Sequence, residues 1–314
     1  MSTPTERISA FEKQIAFFQS FSQAHAKIEM AMESTRLRGI PTSAVLIGPS
    51  GSGKSTLCKI IENEFPEKHT VTEKSGITHV IPVFYCSVPA SVTVKSFCKT
   101  MLTTLECGDL RGDTVDLFLR LIQLLKTCKT ELIIIDEFQT LAKLESTHQL
   151  NAVIDWLLSL INALSIPIVC AGTIECKHII YKEDRLARRF PFLAELRHLS
   201  FDLNPESDYM TLLHLLDEQF YKLGGLPRGG VHLTDSCICT PLFVATQGSL
   251  EYLRQILSRA MTTCLSRAQS QLHKIDFEDA CSSLQLKLCL SKRANPFVMT
   301  LKECYALIER ASND

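Results

Sequence analysis

Apolar residues follow two different spacings along this chain of 314 residues. Short continuous apolar runs are typical of strands buried on both faces of a parallel sheet. Such runs occupy residues 44–47, 80–86, 132–135 and 166–171, and another at 196–203 predicts an edge strand. Apolar positions that recur every three or four residues predict helices instead. Helices are predicted over residues 6–36, 54–64, 92–106, 114–128, 149–164, 183–190, 206–223, 240–247, 249–270 and 276–288.

The order of these elements predicts the fold class. Strands alternate with helices as far as residue 204 and only helices follow, which indicates a doubly wound α/β core with a small α-helical lid domain. Residues 66–78 are polar and rich in turn-forming residues, so we expect a loop there. The predicted segments are an N-terminal helical segment at 1–40, an α/β core at 41–204, a helical lid at 205–290 and a tail at 291–314.

The first candidate for chemistry is the sequence GPSGSGKS, which fits the pattern GxxxxGK[ST] between a predicted strand and a predicted helix. Backbone amides of such a loop surround phosphate oxygens, and the following helix N-terminus adds positive potential. We expect Lys54 to contact the β- and γ-phosphates of ATP, Ser55 to bind Mg²⁺ and Thr56 to contact the α-phosphate. The predicted nucleotide-binding residues of this motif are Gly48, Pro49, Ser50, Gly51, Ser52, Gly53, Lys54, Ser55 and Thr56.

A second motif, LIIIDE, ends a buried strand with two carboxylates. Asp136 is predicted to hold Mg²⁺ together with Ser55, and Glu137 to polarise the attacking water. The next buried strand ends in IVCAGT, and Thr173 at its tip is predicted to sense the γ-phosphate. A turn that caps the following helix is the alternative interpretation of Thr173. The paired carboxylates predict hydrolysis of ATP in addition to binding.

A third motif, RLARRF, places basic residues on a short predicted helix. We expect Arg189, with Arg188 as the second choice, to reach the γ-phosphate bound by a neighbouring subunit. A solvated basic helix face is the alternative interpretation. If Arg189 acts on a neighbour, the site is composite and an isolated monomer hydrolyses ATP poorly.

Composition narrows the choice of partner and compartment. The formal net charge is −1, so nucleic-acid binding would need a local basic patch. The 13 cysteines include no CxxC pair, and several lie in apolar runs, so we interpret them as buried reduced thiols. The N-terminus has no signal-peptide pattern, and no apolar run approaches the roughly 18 to 20 residues that span a bilayer. We therefore expect a cytoplasmic protein without a membrane partner.

Together, GPSGSGKS, LIIIDEFQTL, IPIVCAGT and LARRF resemble the TniB/TnsC family of transposition ATPases, which belong to the AAA+ class. The resemblance covers roughly residues 6 to 265 and implies a P-loop AAA+ core whose parallel sheet is flanked by helices. It also implies a homo-oligomer, a ring or filament, that assembles with ATP on double-stranded DNA. Such a protein connects a target-selector protein to the transposase, and ATP hydrolysis dismantles the assembly.

Two further assignments come from the same resemblance. Related DNA-gripping AAA+ proteins contact the DNA backbone near the helix after the second strand, which implies phosphate contacts by Thr93, Lys95 and Lys99. A wet face of an amphipathic helix is the alternative. Many AAA+ lids carry an arginine three residues after a glycine, but Glu251 occupies that position here. Arg254, one helical turn later, is the predicted substitute at the nucleotide.

Several other protein classes compete with this interpretation. An ABC ATPase is disfavoured because residues 110–131 contain no LSGGQ-like sequence, and a small-molecule kinase would not need two adjacent carboxylates. Origin-recognition and clamp-loader proteins often end in a winged helix, yet the residues after Arg267 have no clear hairpin pattern. A nucleotide switch that does not hydrolyse ATP would lack Glu137. We therefore expect a slow, oligomer-dependent ATPase.

Overall fold

A computed structural model of the protein describes residues 3–14, 16–73, 76–144, 146–267 and 271–313. The chain forms two compact units. The first, called here the sheet unit, consists of Phe21–Leu196. The second, called the helical unit, combines Met1–Ser20 with Arg197–Asp314. The predicted segment boundaries at residues 40, 204 and 290 stay a prediction.

The strands of the sheet unit are β1 Ala44–Ile47, β2 His69–Glu73, β3 Gly76–Val80, β4 Val83–Ser87, β5 Leu132–Asp136, β6 Ile168–Gly172 and β7 Phe192–Glu195. Five of them form one parallel sheet in the order β4-β5-β6-β1-β7. Every residue of β1, β5 and β6 is buried, which explains their continuous apolar sequences. Because these three strands run parallel, their carboxyl ends meet at one edge of the sheet.

The helices of the sheet unit are α2 Gln19–Arg38, α3 Lys54–Asn63, α4 Val94–Thr104, α5 Thr114–Thr127, α6 Thr147–Leu164, α7 Ile174–Lys182 and α8 Asp184–Ala187, with a 3₁₀ helix at Phe138–Lys143. Helix α2 begins at Gln19, two residues before the sheet unit starts at Phe21. Apolar side chains of the sheet and of helices α4 to α7 form one buried cluster. The predicted α/β class, a parallel sheet flanked by helices, is confirmed.

The helices of the helical unit are α1 Pro4–Glu12, α9 Asp208–Gly224, α10 Ser236–Thr246, α11 Leu250–Leu265, α12 Lys274–Ser282 and α13 Leu301–Asn313, with a 3₁₀ helix at Pro296–Val298. Its core is rich in aromatic rings, and the rings of Phe11 and Phe220 meet edge to face with centroids 5.4 Å apart. The described part of the chain has no helix long and apolar enough to cross a membrane. All 13 cysteines are free thiols.

The prediction of one helix over residues 6–36 is wrong. Helix α1 ends at Glu12, α2 begins at Gln19, and residues 16–18 between them are not helical; Ile15 lies outside the described residues. The Arg254 guanidinium donates to the backbone carbonyls of Glu12 and Gln14, the latter at 2.6 Å. Carbonyls at the end of a helix have no partner within it, so this arginine stabilises the interruption.

Two predictions around the sheet are also wrong. Residues 66–78 were expected to form a loop, but β2 and β3 pair there as an antiparallel hairpin in the register His69↔Val80. Their exposed threonines and histidines conceal the alternation of a strand. The edge strand is not 196–203 but β7, which pairs with β1 in the register Ala44↔Phe192. Strand β7 is only partly buried, so its apolar pattern is weak.

Candidate functional site

The loop that leaves β1 at Gly48 and enters α3 at Lys54 has the geometry of a phosphate cradle. Gly51 and Gly53 adopt φ values of 79° and 93°, the left-handed region that only glycine occupies without strain. A Cβ added at Gly48 would lie 2.6 Å from the backbone oxygen of Leu196, so a side chain does not fit there. The amide of Gly48 donates to the carbonyl of Gly172 at 3.1 Å, which ties the loop to the end of β6.

The Lys54 amine crosses this loop. Its Nζ donates to the carbonyls of Gly48 and Pro49, at 2.9 Å each. Burial lowers the pKa of Lys54, and the nearby carboxylates of Asp136 and Glu137 oppose that shift. A cation that faces two carboxylates and an amide-lined loop is suited to bridging phosphate oxygens.

Asp136, at the end of β5, accepts hydrogen bonds from several groups. The carboxylate is 5% exposed, and its Oδ2 lies 3.4 Å from the Ser55 hydroxyl. The Tyr85 hydroxyl also donates to Oδ2, and the backbone amide of Glu137 donates to Oδ1 at 2.8 Å. Burial and the bond to Asp136 raise the pKa of Tyr85, so the phenol stays a donor. The Ser55 and Asp136 oxygens fit Mg²⁺, which prefers such hard ligands.

Glu137 lies at the mouth of the site with an exposed side chain. Its backbone has φ 56°, an uncommon conformation for a residue other than glycine. The Gln139 Nε2 donates to the Glu137 carboxylate at 2.7 Å. Gln139 Oε1 accepts from the Thr173 backbone amide at 3.2 Å. A polar bridge therefore joins the predicted catalytic carboxylate to the tip of β6.

Thr173 occupies the N-cap position of α7, but its side chain makes no capping hydrogen bond. Its hydroxyl donates to the Glu175 carboxylate instead and lowers the pKa of that group. The carbonyl of Gly172, one residue earlier, contacts the phosphate loop. The structure thus brings Thr173 to the same sheet edge as the phosphate loop and Asp136.

Arg188 and Arg189 lie elsewhere, in a cleft of about 600 Å³. The residues that line this arginine cleft are Arg38, Ile40, Asp155, Leu158, Ser159, Asn162, Arg185, Arg188 and Arg189. Its arginines have different partners. Arg185 is paired with the carboxylates of Asp155 and Glu183, whereas Arg189 donates to the amide oxygen of Asn162 at 2.9 Å.

The arginine cleft belongs to the opposite edge of the sheet. The carbonyl of Arg189 accepts from the amide of Ser43 at 2.7 Å, just before β1 begins. Ser43 Oγ in turn accepts from the amide of Ile168, where β6 begins. The four residues of β1 separate Ser43 from Gly48, and five steps of about 3.3 Å along the strand place the two edges roughly 16 Å apart. Arg189 is therefore remote from the phosphate loop of its own chain.

The remaining predicted residues occupy two places. Thr93 is the N-cap of α4, where its hydroxyl accepts from the amide of Ser96 at 3.0 Å. On the same helix Lys95 is exposed and Lys99 is half-buried. Arg254 belongs to the helical unit, where it bonds the chain after α1.

Sequence reasoning missed four polar residues at these two edges. Tyr85 and Gln139 contact the carboxylates, and Asn162 and Arg38 line the arginine cleft. Only Gln139 had a local signal, because it follows the Asp-Glu pair by two residues. The contacts of Tyr85 and Asn162 join residues far apart in the sequence.

A parallel sheet in this order, a glycine loop between β1 and α3, and an Asp-Glu pair at the end of β5 define a P-loop protein of the AAA+ class. A family model described as bacterial TniB protein matches residues 8–198. That match spans more than half of the chain, and the protein belongs to the TniB family. A search of curated protein sequences finds no match.

Solved structures with the same fold share little sequence with this chain. The ORC2 protein of Aeropyrum pernix has a TM-score of 0.60 at 15% identity, over 83% of this chain and 67% of that one. The RuvB branch-migration motor of Thermotoga maritima has a TM-score of 0.52 at 18% identity, over 88% and 74%. The Aeropyrum pernix ORC1 protein, solved in complex with DNA, has a TM-score of 0.53 at 15% identity, over 91% and 82%. Likeness at such identities establishes the fold alone.

Proposed function

We propose that this protein is an ATP-dependent, DNA-binding regulator of transposition. It forms a homo-oligomeric ring or filament on double-stranded target DNA and connects a target-selector protein to the transposase. Slow ATP hydrolysis, which requires the oligomer, then dismantles the assembly. One observation carries this proposal: in a chain of the TniB family, the phosphate loop and Arg189 lie at opposite edges of one sheet.

The donor groups at the carboxyl edge support ATP and Mg²⁺ as the ligands. Lys54 and the loop amides from Gly48 onward bind the phosphates, and Ser55 and Asp136 hold the metal. Bound Mg²⁺ would neutralise charge that develops on the phosphates. Glu137 accepts the proton of the attacking water, and Thr173 contacts the γ-phosphate.

Arg189 supplies positive charge to the γ-phosphate that a neighbouring copy binds. Because its backbone is bonded to Ser43, at the opposite edge of the sheet from its own loop, it suits the phosphates of an adjacent copy. Arg188 in the same cleft is the second candidate. Arg254 is the proposed lid contact to nucleotide, and its guanidinium, which donates to the carbonyls of Glu12 and Gln14, would exchange these bonds for phosphate oxygens.

DNA binding is supported by position and charge. Thr93, Lys95 and Lys99 lie on the first turns of α4, where cations would contact backbone phosphates without reading sequence. The structural neighbours include a Holliday-junction motor and a protein solved with DNA. Contacts by two lysines predict that log K for DNA falls against log salt concentration with a slope of about −2 for each bound copy.

The test is assembly of the Glu137→Gln variant, in which nucleotide remains bound because hydrolysis is slow. Light scattering after gel filtration and negative-stain microscopy are performed with ATP and Mg²⁺, with and without duplex DNA. We expect rings or filaments only with ATP, and more of them with DNA. Lys54→Ala in the same background is the matched control that loses phosphate binding. A monomer under every condition would contradict the proposal.

A further inference from the structure

We propose that Gln139 is a positioning residue for ATP hydrolysis, whose side-chain amide fixes the Glu137 carboxylate against the tip of β6. The inference rests on the proposed ATPase function and adds a residue to its machinery. It follows from four features of the sheet unit: two hydrogen bonds, a space that only glycine leaves open, and an anchored 3₁₀ helix.

The two hydrogen bonds determine which way the amide points. The Thr173 backbone amide is a donor, so the group that faces it at 3.2 Å must be the Gln139 oxygen. The Gln139 NH₂ group is then directed to the Glu137 carboxylate, at 2.7 Å. A hydrogen bond to a charged acceptor is stronger than one between neutral groups, so the bridge holds Glu137 firmly.

The end of β6 is shaped to admit this amide. A Cβ built on Gly172 would overlap Gln139 Oε1 and the Cys176 sulfur. Gly172 has no positive φ that would itself demand glycine. Its missing side chain is therefore explained by the space that the Gln139 amide and the Cys176 sulfur occupy.

Buried residues of the same 3₁₀ helix anchor the backbone of Gln139. Gln139 lies in the 3₁₀ helix Phe138–Lys143, whose Phe138 and Leu141 side chains are each 1% exposed. The Thr140 amide donates to the Glu137 carbonyl at 2.9 Å and closes the first turn. These anchors fix the backbone from Glu137 to Gln139. Loss of the Gln139 amide therefore removes the hydrogen bond that orients the Glu137 carboxylate.

The bridge has a consequence for the reaction. The tip of β6 contacts the phosphate loop through Gly172 and carries Thr173, the proposed γ-phosphate contact. Gln139 links this tip to the carboxylate that must face the attacking water. Misplacing a general base reduces turnover without weakening binding of the phosphates.

The experiment compares steady-state ATP hydrolysis by the wild-type full-length chain and its variants, with Mg²⁺ and duplex DNA present. Gln139→Ala removes both bonds, and Gln139→Glu keeps the size and the acceptor for Thr173 but loses the donor to Glu137. We expect kcat to fall at least about tenfold in both, and by no more than the 10²–10⁴-fold that a positioned base contributes. The KM for ATP should change less than about twofold, because the groups that hold the phosphates remain.

Gly172→Ala tests the same bridge from the other side. Its methyl group must displace the Gln139 amide as well as the Cys176 sulfur, so it should lower kcat to a similar extent and leave KM unchanged. Gln123→Ala, an exposed glutamine on α5, is the matched control and should behave as wild type. Circular dichroism and thermal melting show whether each variant folds.

The outcomes separate the two proposals. A wild-type chain that hydrolyses ATP, with Gln139→Ala and Gln139→Glu equally active, overturns the role of Gln139 and leaves the ATPase function standing. A rise in KM without a fall in kcat also overturns it, because Gln139 would then serve binding. A wild-type chain that shows no hydrolysis with ATP, Mg²⁺ and DNA overturns the ATPase function and the positioning role together.

Discussion

The two edges of the parallel sheet carry different side chains: those at the carboxyl edge, where β1, β5 and β6 end, and those at the amino edge, where β1 and β6 begin. The carboxyl edge has an amide-lined loop, one lysine and two carboxylates, while the amino edge has a cleft lined by four arginines. Phosphoryl transfer needs both a cradle with a base and extra positive charge on the transferring group. Under the proposed function, each copy of the chain would present two incomplete sites that a neighbouring copy completes.

The arginines of the amino edge are not equivalent. Arg185 is neutralised by two carboxylates, at 2.9 Å from Asp155 and 2.8 Å from Glu183. Arg189 is held by the neutral amide of Asn162, a bond that orients the guanidinium and leaves its charge intact. Arg189 is thus the better candidate for an anionic group brought by another subunit.

The largest predicted effect comes from removing the arginine proposed to act in trans at the amino edge. Arg189→Ala should lower kcat for ATP hydrolysis by about 10³-fold or more, the range for arginine fingers, with little change in ATP affinity. Single-turnover hydrolysis and nucleotide titration measure the two quantities. Arg185→Ala, the matched substitution in the same cleft, should have a much smaller effect because its charge is already compensated.

The next largest effect comes from replacing the proposed general base at the carboxyl edge. Glu137→Gln should lower kcat by about 10²–10⁴-fold because the amide cannot accept the proton of water. Nucleotide binding should persist, since Lys54 and Asp136 are unchanged.

Mixing the two inactive variants tests whether the halves belong to different subunits. In an equal mixture, roughly a quarter of head-to-tail interfaces join an intact Glu137 to an intact Arg189, so activity should reappear. No recovery on mixing, in oligomers that contain both variants, would contradict a shared site.

The carboxyl edge was largely predictable from sequence and the amino edge was not. Gly48 to Ser55, and Asp136 with Glu137, are consecutive residues after buried strands, so local pattern and strand direction bring them together. The arginine motif was visible, but its position opposite the loop depends on the contact of Arg189 with Ser43.

The fold was also predictable only where consecutive residues carry the signal. Strands β1, β5 and β6 are buried on both faces and stand out as apolar runs. The β2–β3 hairpin and the edge strand β7 lack that signal because their residues are polar or half-exposed. Tyr85 and Asn162 gained roles only through contacts across the fold.

A smaller effect concerns Asp136, the carboxylate that is proposed to bind Mg²⁺. Tyr85→Phe removes the hydroxyl that donates to buried Asp136, and hydrogen bonds to charged groups contribute about 1.5–3 kcal/mol. The unfolding midpoint should fall, and more Mg²⁺ should be needed for half-maximal activity. Tyr181→Phe is the matched control, since its hydroxyl donates to the neutral carbonyl of Phe190 at 2.9 Å and should contribute less.

The same variant has a pH signature. The pKa of Tyr85 is raised in the folded protein, so its stabilisation is present below about pH 10, the unfolded pKa, and is lost as pH rises further. The stability difference between wild type and Tyr85→Phe should therefore stay constant from neutral pH to about pH 9 and then shrink. A difference that is already lost at neutral pH would contradict the assigned donor.

The smallest effect probes how the amino edge holds its arginine. Asn162→Ala removes one hydrogen bond to Arg189 but keeps the cation, so kcat should fall about fivefold, equivalent to about 1 kcal/mol. Asn151→Ala, an exposed asparagine on the same helix, is the matched control. Asn162→Asp should reduce kcat further than Asn162→Ala, because a carboxylate would hold Arg189 as Asp155 holds Arg185. If Asn162→Asp were as active as wild type, the neutral partner would not matter, and the contrast between Arg185 and Arg189 would lose its physical basis.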